Sequence, residues 1–594
     1  MIKYKFKIKP FIILSSLFLI PITVWGNNAR YRVMFRSNPA TSITIGWDQT
    51  SGKNPMVYYD IVDHGKNSNA YTFTKSVDRS VNHKGMNNNF ARLTGLQPNT
   101  AYYFVIKDSK GISPRFWFKT APGSSNEQLS FIAGGDSRNN SKPRRNANLL
   151  VSKLRPHAVF FGGDMTKNGS NTEWIEWMND WQLTTGSDGR MIPIIPARGN
   201  HESSNNNIYH LFDTPSKKIY YALTFGGNLI RAYTLNTEIS ISGNQTSWLK
   251  TDLASNPNVI WKMAQYHKPM RPHVSAKKEG NSQYKNWAIP FRNYGVKFVV
   301  ESDAHVVKTT WPIVPCRSSE SDDGFIRDDV NGTVYAGEGC WGAPLRTNDD
   351  SKKWTRATGR FNQFKWIHIN ASKIEIRTIN VNNANLVEQI NDHDIFAIPS
   401  NLDIWNPSSG AVVTISKLDD IPITAKCSST LSSFPYSTGF ENTLDSWTQS
   451  STDDINWLLR SGKTPSDGTG PSAAAQGNYY IYVEASNQNS PRKLASLESP
   501  CFNLSTISNP QISFNYHMYG TTVGTLTLEV STNQGISWNT LWIYSGTQSH
   551  LWKSQTVNIP NSNSAKFRFR GLTGSGWSSD LAIDNFKIAP KSAP

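Results

Sequence analysis

The spacing of apolar residues changes along the chain, and the stretches predict different architectures. In residues 28–121, short runs such as SITIGWDQ and MVYYDIV alternate apolar with polar positions between Gly, Asn and Pro turns, which is typical of a small β-sandwich. In residues 125–420, nearly continuous apolar runs alternate with segments of helical spacing, which predicts a layered α/β fold with strands covered on both faces. In residues 427–590, the alternation returns and predicts a second all-β domain, and the looser stretch 398–430 is interpreted as a linker.

The first 26 residues have the pattern of a signal peptide. Four lysines (Lys3, Lys5, Lys7 and Lys9) precede the apolar run FIILSSLFLIPITVW, and Gly26 offers a small residue for cleavage. The run is short for a membrane span, and no other run in the sequence approaches that length. We therefore expect an exported protein without a transmembrane segment, located outside the cell, in the periplasm or at the cell surface after the signal peptide is removed.

Charge and cysteine content narrow the class of protein. The chain has 61 Lys and Arg against 44 Asp and Glu, a formal net charge of +17, and losing the four leader lysines leaves +13. A basic exported protein suits anionic partners, but no basic run is interleaved with aromatic residues, which argues against nucleic-acid binding. Four cysteines in an exported chain predict two disulfides. Four cysteines can form two disulfides in three ways, and we predict the connectivity Cys316–Cys340 with Cys427–Cys501.

Polar residues follow five strand-like runs of the middle region. Because active sites of α/β folds lie at the carboxyl ends of strands, these residues are expected to converge. Carboxylate, amide and imidazole groups suit Zn, Fe or Mn, with Ca as a further candidate, and the lack of cysteine argues against a structural zinc site. A shared Asp could bridge two ions about 4 Å apart, as in two-metal phosphoester hydrolysis by a metal-bound hydroxide. The candidate residues are Asp136, Asp164, Asn200, His201, His267, Asp303 and His305.

In this order, the motifs resemble those of the calcineurin-like metallophosphoesterase superfamily. They read Gly135-Asp136-Ser137-Arg138, Gly163-Asp164, Gly199-Asn200-His201-Glu202, His267-Lys268-Pro269 and Ser302-Asp303-Ala304-His305. The stretch LTGLQPNTAYYF in front, with Leu96, Pro98 and Tyr103, resembles a fibronectin type III domain with its tyrosine corner. Together they look most like the purple acid phosphatase branch, whose N-terminal domain residues 28–121 would represent.

The resemblance implies a role for each matching residue. Asp136, Asp164 and His305 would hold a first ion. Asp164, Asn200, His267 and Asp303 would hold a second ion, with Asp164 bridging. His201 would be the general acid or transition-state donor, oriented by Glu202.

Three positions depart from the family pattern. Arg138 stands where many members have a ligating His, so it is a candidate for contacting the substrate phosphate, with a structural ion pair as the alternative. Lys167 stands where the purple branch has Tyr, so the purple colour is not expected. Asp303 replaces a His, which favours a harder ion and keeps single-ion occupancy open.

The last region resembles a MAM domain. The runs GFENTLDSWTQ, GNYYIYVEAS and LAIDNF occur in the family's order over about 430–590. The resemblance implies a jelly-roll sandwich used for adhesion or recognition, with a glycan or a protein at a cell surface as partner.

These features lead to one main hypothesis and two alternatives. The main hypothesis is an exported metal-dependent phosphoesterase with a MAM recognition module. The first alternative is a phosphodiesterase acting on glycan- or lipid-linked phosphate. The second is a non-catalytic binding protein on a decayed phosphoesterase scaffold.

Overall fold

The computed structural model describes residues 27–316, 321–417, 430–450, 453–491, 493–532, 535 and 538–591. The predicted signal peptide lies outside the described residues. Within the described part of the chain, no helix combines the length and hydropathy needed to cross a membrane.

The first region consists of nine strands. Tyr102 is buried and its hydroxyl accepts a hydrogen bond from the Gln97 backbone N–H at 2.9 Å, so the tyrosine corner is formed by Tyr102 and not by Tyr103. The predicted residue is wrong by one position because alternation turns Tyr103 toward the other face of its strand. The strands are β1 (Ala29–Met34), β2 (Ser42–Asp48), β3 (Met56–Asp60), β4 (Phe73–Ser76), β5 (Arg79–His83), β6 (Met86–Thr94), β7 (Ala101–Asp108), β8 (Gly111–Ile112) and β9 (Phe116–Lys119).

The middle region alternates strands and helices as predicted. Its strands are β10 (Leu129–Gly134), β11 (Ala158–Phe161), β12 (Ile194–Pro196), β13 (Tyr221–Phe225), β14 (Ile230–Thr234), β15 (Trp261–Gln265), β16 (Val296–Glu301), β17 (Val307–Thr310), β18 (Ile313–Pro315), β19 (Phe325–Arg327), β20 (Val334–Gly337), β21 (Thr355–Gly359), β22 (Gln363–Ile369), β23 (Lys373–Asn380) and β24 (Val412–Ser416). Its helices are α1 (Ser141–Leu154), α2 (Asn171–Trp181), α3 (Asn205–Phe212), α4 (Asn244–Ser255), α5 (Asn281–Gln283) and α6 (Ile289–Asn293).

Strand β24 corrects the interpretation of residues 398–430 as a linker. Its residues pair antiparallel with β23, and Val413 and Ile415 are buried. The pairing makes this strand the edge of the sheet of the middle region. Val413 and Ile415 lie two positions apart and therefore point to the same, buried face of the strand.

Two sheets pack face to face in the middle region. One runs β24-β23-β22-β10-β11-β12-β1-β2-β6-β5 and the other β13-β14-β15-β16-β20-β17-β21. The rings of Phe131 in β10 and Phe225 in β13 have centroids 5.0 Å apart. Helix α2, begun by a capping box between Ser170 and Glu173, buries its tryptophan stripe against the outer face, as the helical spacing predicts.

The first sheet crosses the border between the first two regions. β1 pairs in parallel with β12, with Met34 opposite Ile194. The sequence predicts a separate sandwich in residues 28–121, but one of its sheets is continuous with the α/β sheet. The apolar face of β1 fits this arrangement, because five of its six residues are buried.

The C-terminal region is an all-β sandwich with its own core. Its two main sheets run β28-β29-β37-β32-β35 and β27-β30-β36-β33-β34. The strands are β25 (Thr430–Leu431), β26 (Tyr436–Thr438), β27 (Thr448–Gln449), β28 (Leu458–Ser461), β29 (Tyr479–Val483), β30 (Leu494–Glu498), β31 (Cys501–Phe502), β32 (Pro510–Met518), β33 (Thr525–Ser531), β34 (Asn539–Ser545), β35 (Ser549–Asn558), β36 (Lys566–Leu572) and β37 (Leu581–Pro590).

Buried carboxyls should make this sandwich more stable in mild acid. Burial raises the pKa of Asp453 and of Asp580 to about 7, and that of Asp584 to about 6, so the folded state holds their protons more tightly than the unfolded chain. The stabilisation that these carboxyls give the folded state is complete at a pH below the ordinary carboxyl pKa. It is lost as the pH rises through about 7. We expect calorimetry of the full chain to show a higher melting temperature for this transition at pH 5 than at pH 8.

Asp580→Asn should flatten that pH dependence, because the amide does not titrate. The matched control is Asp467→Asn, since the Asp467 side chain is 90% exposed. A melting temperature that rises from pH 5 to pH 8 would contradict the assignment.

Candidate metal centre

Five loops bring the predicted polar residues to one end of the facing sheets. β10, β11 and β12 run parallel in one sheet, and β15 and β16 run parallel in the other. Each is followed within a few residues by one of the sequence motifs, so parallel order carries the motifs to a common edge. The loops hold Asp136, Asp164, Asn200 with His201, His267, and Asp303 with His305.

The first group of ligand atoms consists of Asp136, Asp164 and His305. One side-chain atom from each lies within 4.8 Å of the others, and all three residues are buried. His305 Nε2 is 3.2 Å from Asp136 Oδ1, and His305 Nδ1 donates to the Pro344 carbonyl at 2.9 Å. That second bond directs Nε2 toward the carboxylates.

The second group consists of Asp164, His267 and Asp303 and meets the same distance limit. His267 Nε2 lies 3.3 Å from Asp164 Oδ1, 3.6 Å from Asp303 Oδ1 and 3.1 Å from Asn200 Oδ1. His267 Nδ1 donates to the Gly162 carbonyl at 2.9 Å. All six residues predicted as ligands therefore meet in two groups that share Asp164.

The backbone at these loops leaves no room for larger residues. Asp136, Asp164, Asp303 and His305 all have positive φ, between 55° and 68°, a conformation that bulky side chains seldom adopt. A Cβ at Gly199 would lie 2.3 Å from Asp164 Oδ1. The Gly-Asp and Gly-Asn-His motifs therefore reflect tight packing around the carboxylates as well as ligand chemistry.

The electrostatics of the cluster favour a cation. Burial opposes charge on His267, yet the carboxylates of Asp164, Asp136 and Asp303 hold its pKa well above the ordinary value. Burial would likewise raise the pKa of Asp164, but His267 and His201 lower it. Buried carboxylates that draw a proton onto an imidazole provide the field and the O and N donors that a divalent ion needs. The residues present thus fit a metal ion.

Arg138 and His201 lie side by side at the edge of the cluster. Arg138 Nη2 is 3.3 Å from Asp164 Oδ2 and 2.5 Å from His201 Nε2. His201 Nδ1 donates to the Lys167 carbonyl, so Nε2 is the acceptor for the guanidinium. The His201 side chain is 24% exposed and thus reachable from solvent.

Glu202 has a different role from the one expected. It does not orient the His201 ring; its buried carboxylate accepts from the backbone N–H groups of Asp164 (2.9 Å), Met165 (2.7 Å) and Gly199 (2.6 Å). Burial is the main reason why the pKa of Glu202 is raised to about 7. Glu202 ties two motif loops together, and the Lys167 carbonyl orients His201.

Two cationic residues near the cluster have no motif in the sequence. Lys277 Nζ lies 2.6 Å from Asp303 Oδ1. Arg346 Nη1 donates to the Asp303 carbonyl at 2.9 Å, and its backbone N–H donates to the His305 carbonyl. Both lie on irregular segments, and spacing alone cannot place such residues beside a motif.

Glu301, two residues before Asp303, belongs to a separate buried network. Its carboxylate accepts from Tyr266 Oη at 2.7 Å and from the Met270 N–H at 2.8 Å, and it pairs with buried Lys308 at 2.6 Å. Lys308 also contacts Glu338 at 2.5 Å. The Glu301 carboxylate is therefore engaged by Tyr266, Met270 and Lys308.

The predicted Cys316–Cys340 disulfide is wrong. Both cysteines are buried thiols in different surroundings: Cys316 follows β18 and bonds Gly324 through its backbone, whereas Cys340 lies near Asp136 and Lys365. Nearness in sequence does not bring two Cα atoms within bridging distance. Cys501 is disulfide-bonded, but Cys427 lies outside the described residues, so the pair Cys427–Cys501 remains a prediction.

The first region touches the loops of the cluster through the β5–β6 hairpin. Lys84 Nζ donates to the Gly169 carbonyl at 2.6 Å, in the loop that also carries Lys167. His83 Nε2 contacts Asn207 Oδ1 at 2.8 Å, and Asn207 in turn bonds the Glu202 carbonyl. These contacts join residues far apart in the chain, so they could not be predicted from the sequence.

Three family models match the chain in the order of its regions. They are the purple acid phosphatase N-terminal domain over residues 29–120, the calcineurin-like phosphoesterase over 139–307, and the MAM domain (meprin/A5/mu) over 438–592. Among solved structures, purple acid phosphatase PPD1 from yellow lupin seeds is similar with a TM-score of 0.52 and 15% identity. The similarity covers 62% of this chain and 76% of that one, and it shows the fold.

The curated relatives match through the C-terminal region. MAM domain-containing glycosylphosphatidylinositol anchor protein 1 of Rattus norvegicus is 35% identical over 159 residues, 25% of this chain and 16% of that protein. MAM domain-containing protein 2 of Homo sapiens is 30% identical over 176 residues, 29% of this chain and 25% of that protein. The match thus spans a quarter or less of the length of either relative.

These relatives correct the expected location. The expectation of a freely exported protein, outside the cell or in the periplasm, is contradicted. MAM domain-containing glycosylphosphatidylinositol anchor proteins 1 and 2 of Mus musculus are among the relatives, and their names point to anchoring at the cell surface. The cell-surface part of the expectation is compatible with that finding. The family models and the fold agree with the resemblances in the sequence: the chain carries a purple acid phosphatase N-terminal domain, a calcineurin-like phosphoesterase domain and a C-terminal MAM domain.

Proposed function

We propose that the protein is a metal-dependent hydrolase of phosphate esters. The observation that carries this proposal is the pair of ligand groups that share buried Asp164 at the carboxyl ends of the strands. Buried carboxylates and imidazoles with shifted pKa values that meet in one cluster are typical of functional sites.

The residues that would hold the ions follow from the two groups. Asp136, Asp164 and His305 form the first position. Asp164, Asn200, His267 and Asp303 form the second. When bound, divalent cations supply Lewis-acid chemistry, polarising phosphoryl oxygens and making a water more acidic.

Arg138 and His201 would act on the substrate itself. The Arg138 guanidinium offers several N–H donors at the rim, which match phosphoryl oxygens in a bidentate manner. His201 Nε2, held in place by the Lys167 carbonyl, would hold or transfer the proton of the leaving oxygen. The contact between Nε2 and Arg138 would be replaced by substrate oxygen.

The MAM domain would attach the enzyme to a partner at the cell surface, a glycan or a protein. The relatives that are named for a glycosylphosphatidylinositol anchor support a surface setting for this module. Binding of the full chain to immobilised glycans and to cell-surface protein extracts, with and without an excess of free MAM domain, tests this attachment.

Replacing His201 by Gln should lower kcat by about 10²–10³ while changing KM little, because proton transfer is lost and phosphoryl contacts remain. Hydrolysis of p-nitrophenyl phosphate by metal-reconstituted protein measures this change. His393→Gln is the control, because His393 is exposed and distant in sequence from every motif. An unchanged kcat for His201→Gln would remove His201 from the reaction.

Comparing p-nitrophenyl phosphate with bis-p-nitrophenyl phosphate assigns the ester class. The phosphodiesterase alternative requires the bis ester to be the better substrate by kcat/KM. Both rates should depend on added Zn, Mn or Fe and disappear with a chelator.

A further inference from the structure

The ammonium group of Lys277 directly contacts one of the candidate ligands. Its Nζ lies 2.6 Å from Asp303 Oδ1, and the same oxygen lies 3.6 Å from His267 Nε2. The Lys277 side chain is only 21% exposed. A cationic side chain therefore already contacts the oxygen that an ion in the second position would need.

The segment around Lys277 is anchored so that this contact is built into the fold. The His273 backbone N–H donates to Glu338, and Val274 packs in a small cluster with Ala304 beside Asp303. Ser275 donates both its N–H (2.8 Å) and its hydroxyl (2.9 Å) to Asp349. Lys277 is thus directed at Asp303 by contacts on its own segment, unlike a surface lysine that moves freely.

The net charge of the cluster also opposes binding of a second ion. Three carboxylates, those of Asp136, Asp164 and Asp303, face two cationic side chains, because Arg138 contacts Asp164 and Lys277 contacts Asp303. These groups carry a net charge of −1, which one divalent ion changes to +1 and a second to +3, so the second ion meets an excess of positive charge that includes the ammonium.

We propose that Lys277 is a positioning residue that acts as a built-in cation and weakens binding of a divalent ion at the second position. The first position then fills at lower metal concentration, and the second ion binds only by displacing the ammonium from Asp303. The acid at position 303, where the superfamily pattern has His, and the lysine form one unit, since an uncharged imidazole would not hold an ammonium. This inference rests on the proposed metal-dependent function.

Metal binding to the full chain tests the proposal without reference to activity. Wild type, Lys277→Met and Lys277→Arg are equilibrated with defined free Mn²⁺, bound metal is counted by elemental analysis, and spin coupling between neighbouring Mn²⁺ ions is followed by electron paramagnetic resonance. We expect Lys277→Met to bind the second Mn²⁺ about tenfold more tightly or better, since a full charge beside the ligand is removed. Lys277→Arg should resemble wild type, and the neighbouring exposed Lys278→Met is the matched control.

Each outcome has a distinct meaning. A second-ion affinity that is unchanged or weakened in Lys277→Met overturns the role of Lys277, although the metal-dependent function stands. An equal gain in second-ion affinity in Lys278→Met overturns the role of Lys277 as well, because the effect would then come from the overall charge of the protein and not from the contact with Asp303. If wild type binds no Mn²⁺ at any concentration, the proposed function fails together with this inference.

Discussion

Replacing Asp164 by Asn is expected to abolish phosphoester hydrolysis, with a loss of about 10³-fold or more in kcat/KM, and to remove tight binding of divalent ions. Asp164 is the residue common to both ligand groups, and its carboxylate lies 3.3 Å from His267 Nε2. An amide keeps the shape but halves the number of strong acceptors and removes the charge that attracts a cation. Turnover of p-nitrophenyl phosphate and elemental analysis of the purified protein measure both effects.

Asp252→Asn is the control for this substitution. Asp252 pairs with Arg231, and both side chains are 17% exposed, in a part of the chain that contributes nothing to the ligand groups. If Asp164→Asn keeps wild-type turnover, or if wild type contains no metal and has no turnover, the alternative of a binding protein on a phosphoesterase scaffold is favoured instead.

Replacing Asp213 by Ala is expected to lower the free energy of unfolding by about 3–5 kcal/mol, since it removes the buried partner of three partly buried arginines. The Asp213 carboxylate is fully buried just after α3. It lies 3.0 Å from Arg79, 2.8 Å from Arg92 and 3.5 Å from Arg36, three residues of the first region. Calorimetry of the full chain should show the corresponding transition lowered by roughly 10 °C.

Asp213→Asn should fall between Ala and wild type, because the amide can still accept from one arginine. Asp329→Asn is the control for stability and should change the free energy of unfolding by less than about 1 kcal/mol, because Asp329 and its partner Arg327 are 57% and 47% exposed. A melting temperature unchanged by Asp213→Ala would show that the arginines are stabilised by solvent and not by this acid.

The site could be predicted from the sequence because its chemistry follows regular strands. Asp136, Asp164, His267 and Asp303 each come within three residues of a strand end, and parallel strands carry such positions to one edge. The order of the motifs then supplied the resemblance that the family models bear out.

Features that depend on long-range contacts could not be predicted in this way. Lys277 reaches Asp303 through a segment with no periodic pattern, and Glu202 bonds backbone groups that no side-chain motif represents. Cys316 and Cys340 are close in sequence but lie on different parts of the fold. In each case the deciding interaction joins residues whose spacing along the chain carries no information about their distance.

The pairing of β1 with β12 has a consequence for how this protein can be divided. A phosphoesterase fragment cut out at the border of the family models would expose the edge of β12 and leave the Asp213 carboxylate without its arginines. Such a fragment should aggregate through its open sheet edge. In chimeras and expression fragments, and in any exchange of domains between genes, residues 29–416 would have to be kept together as one folding unit.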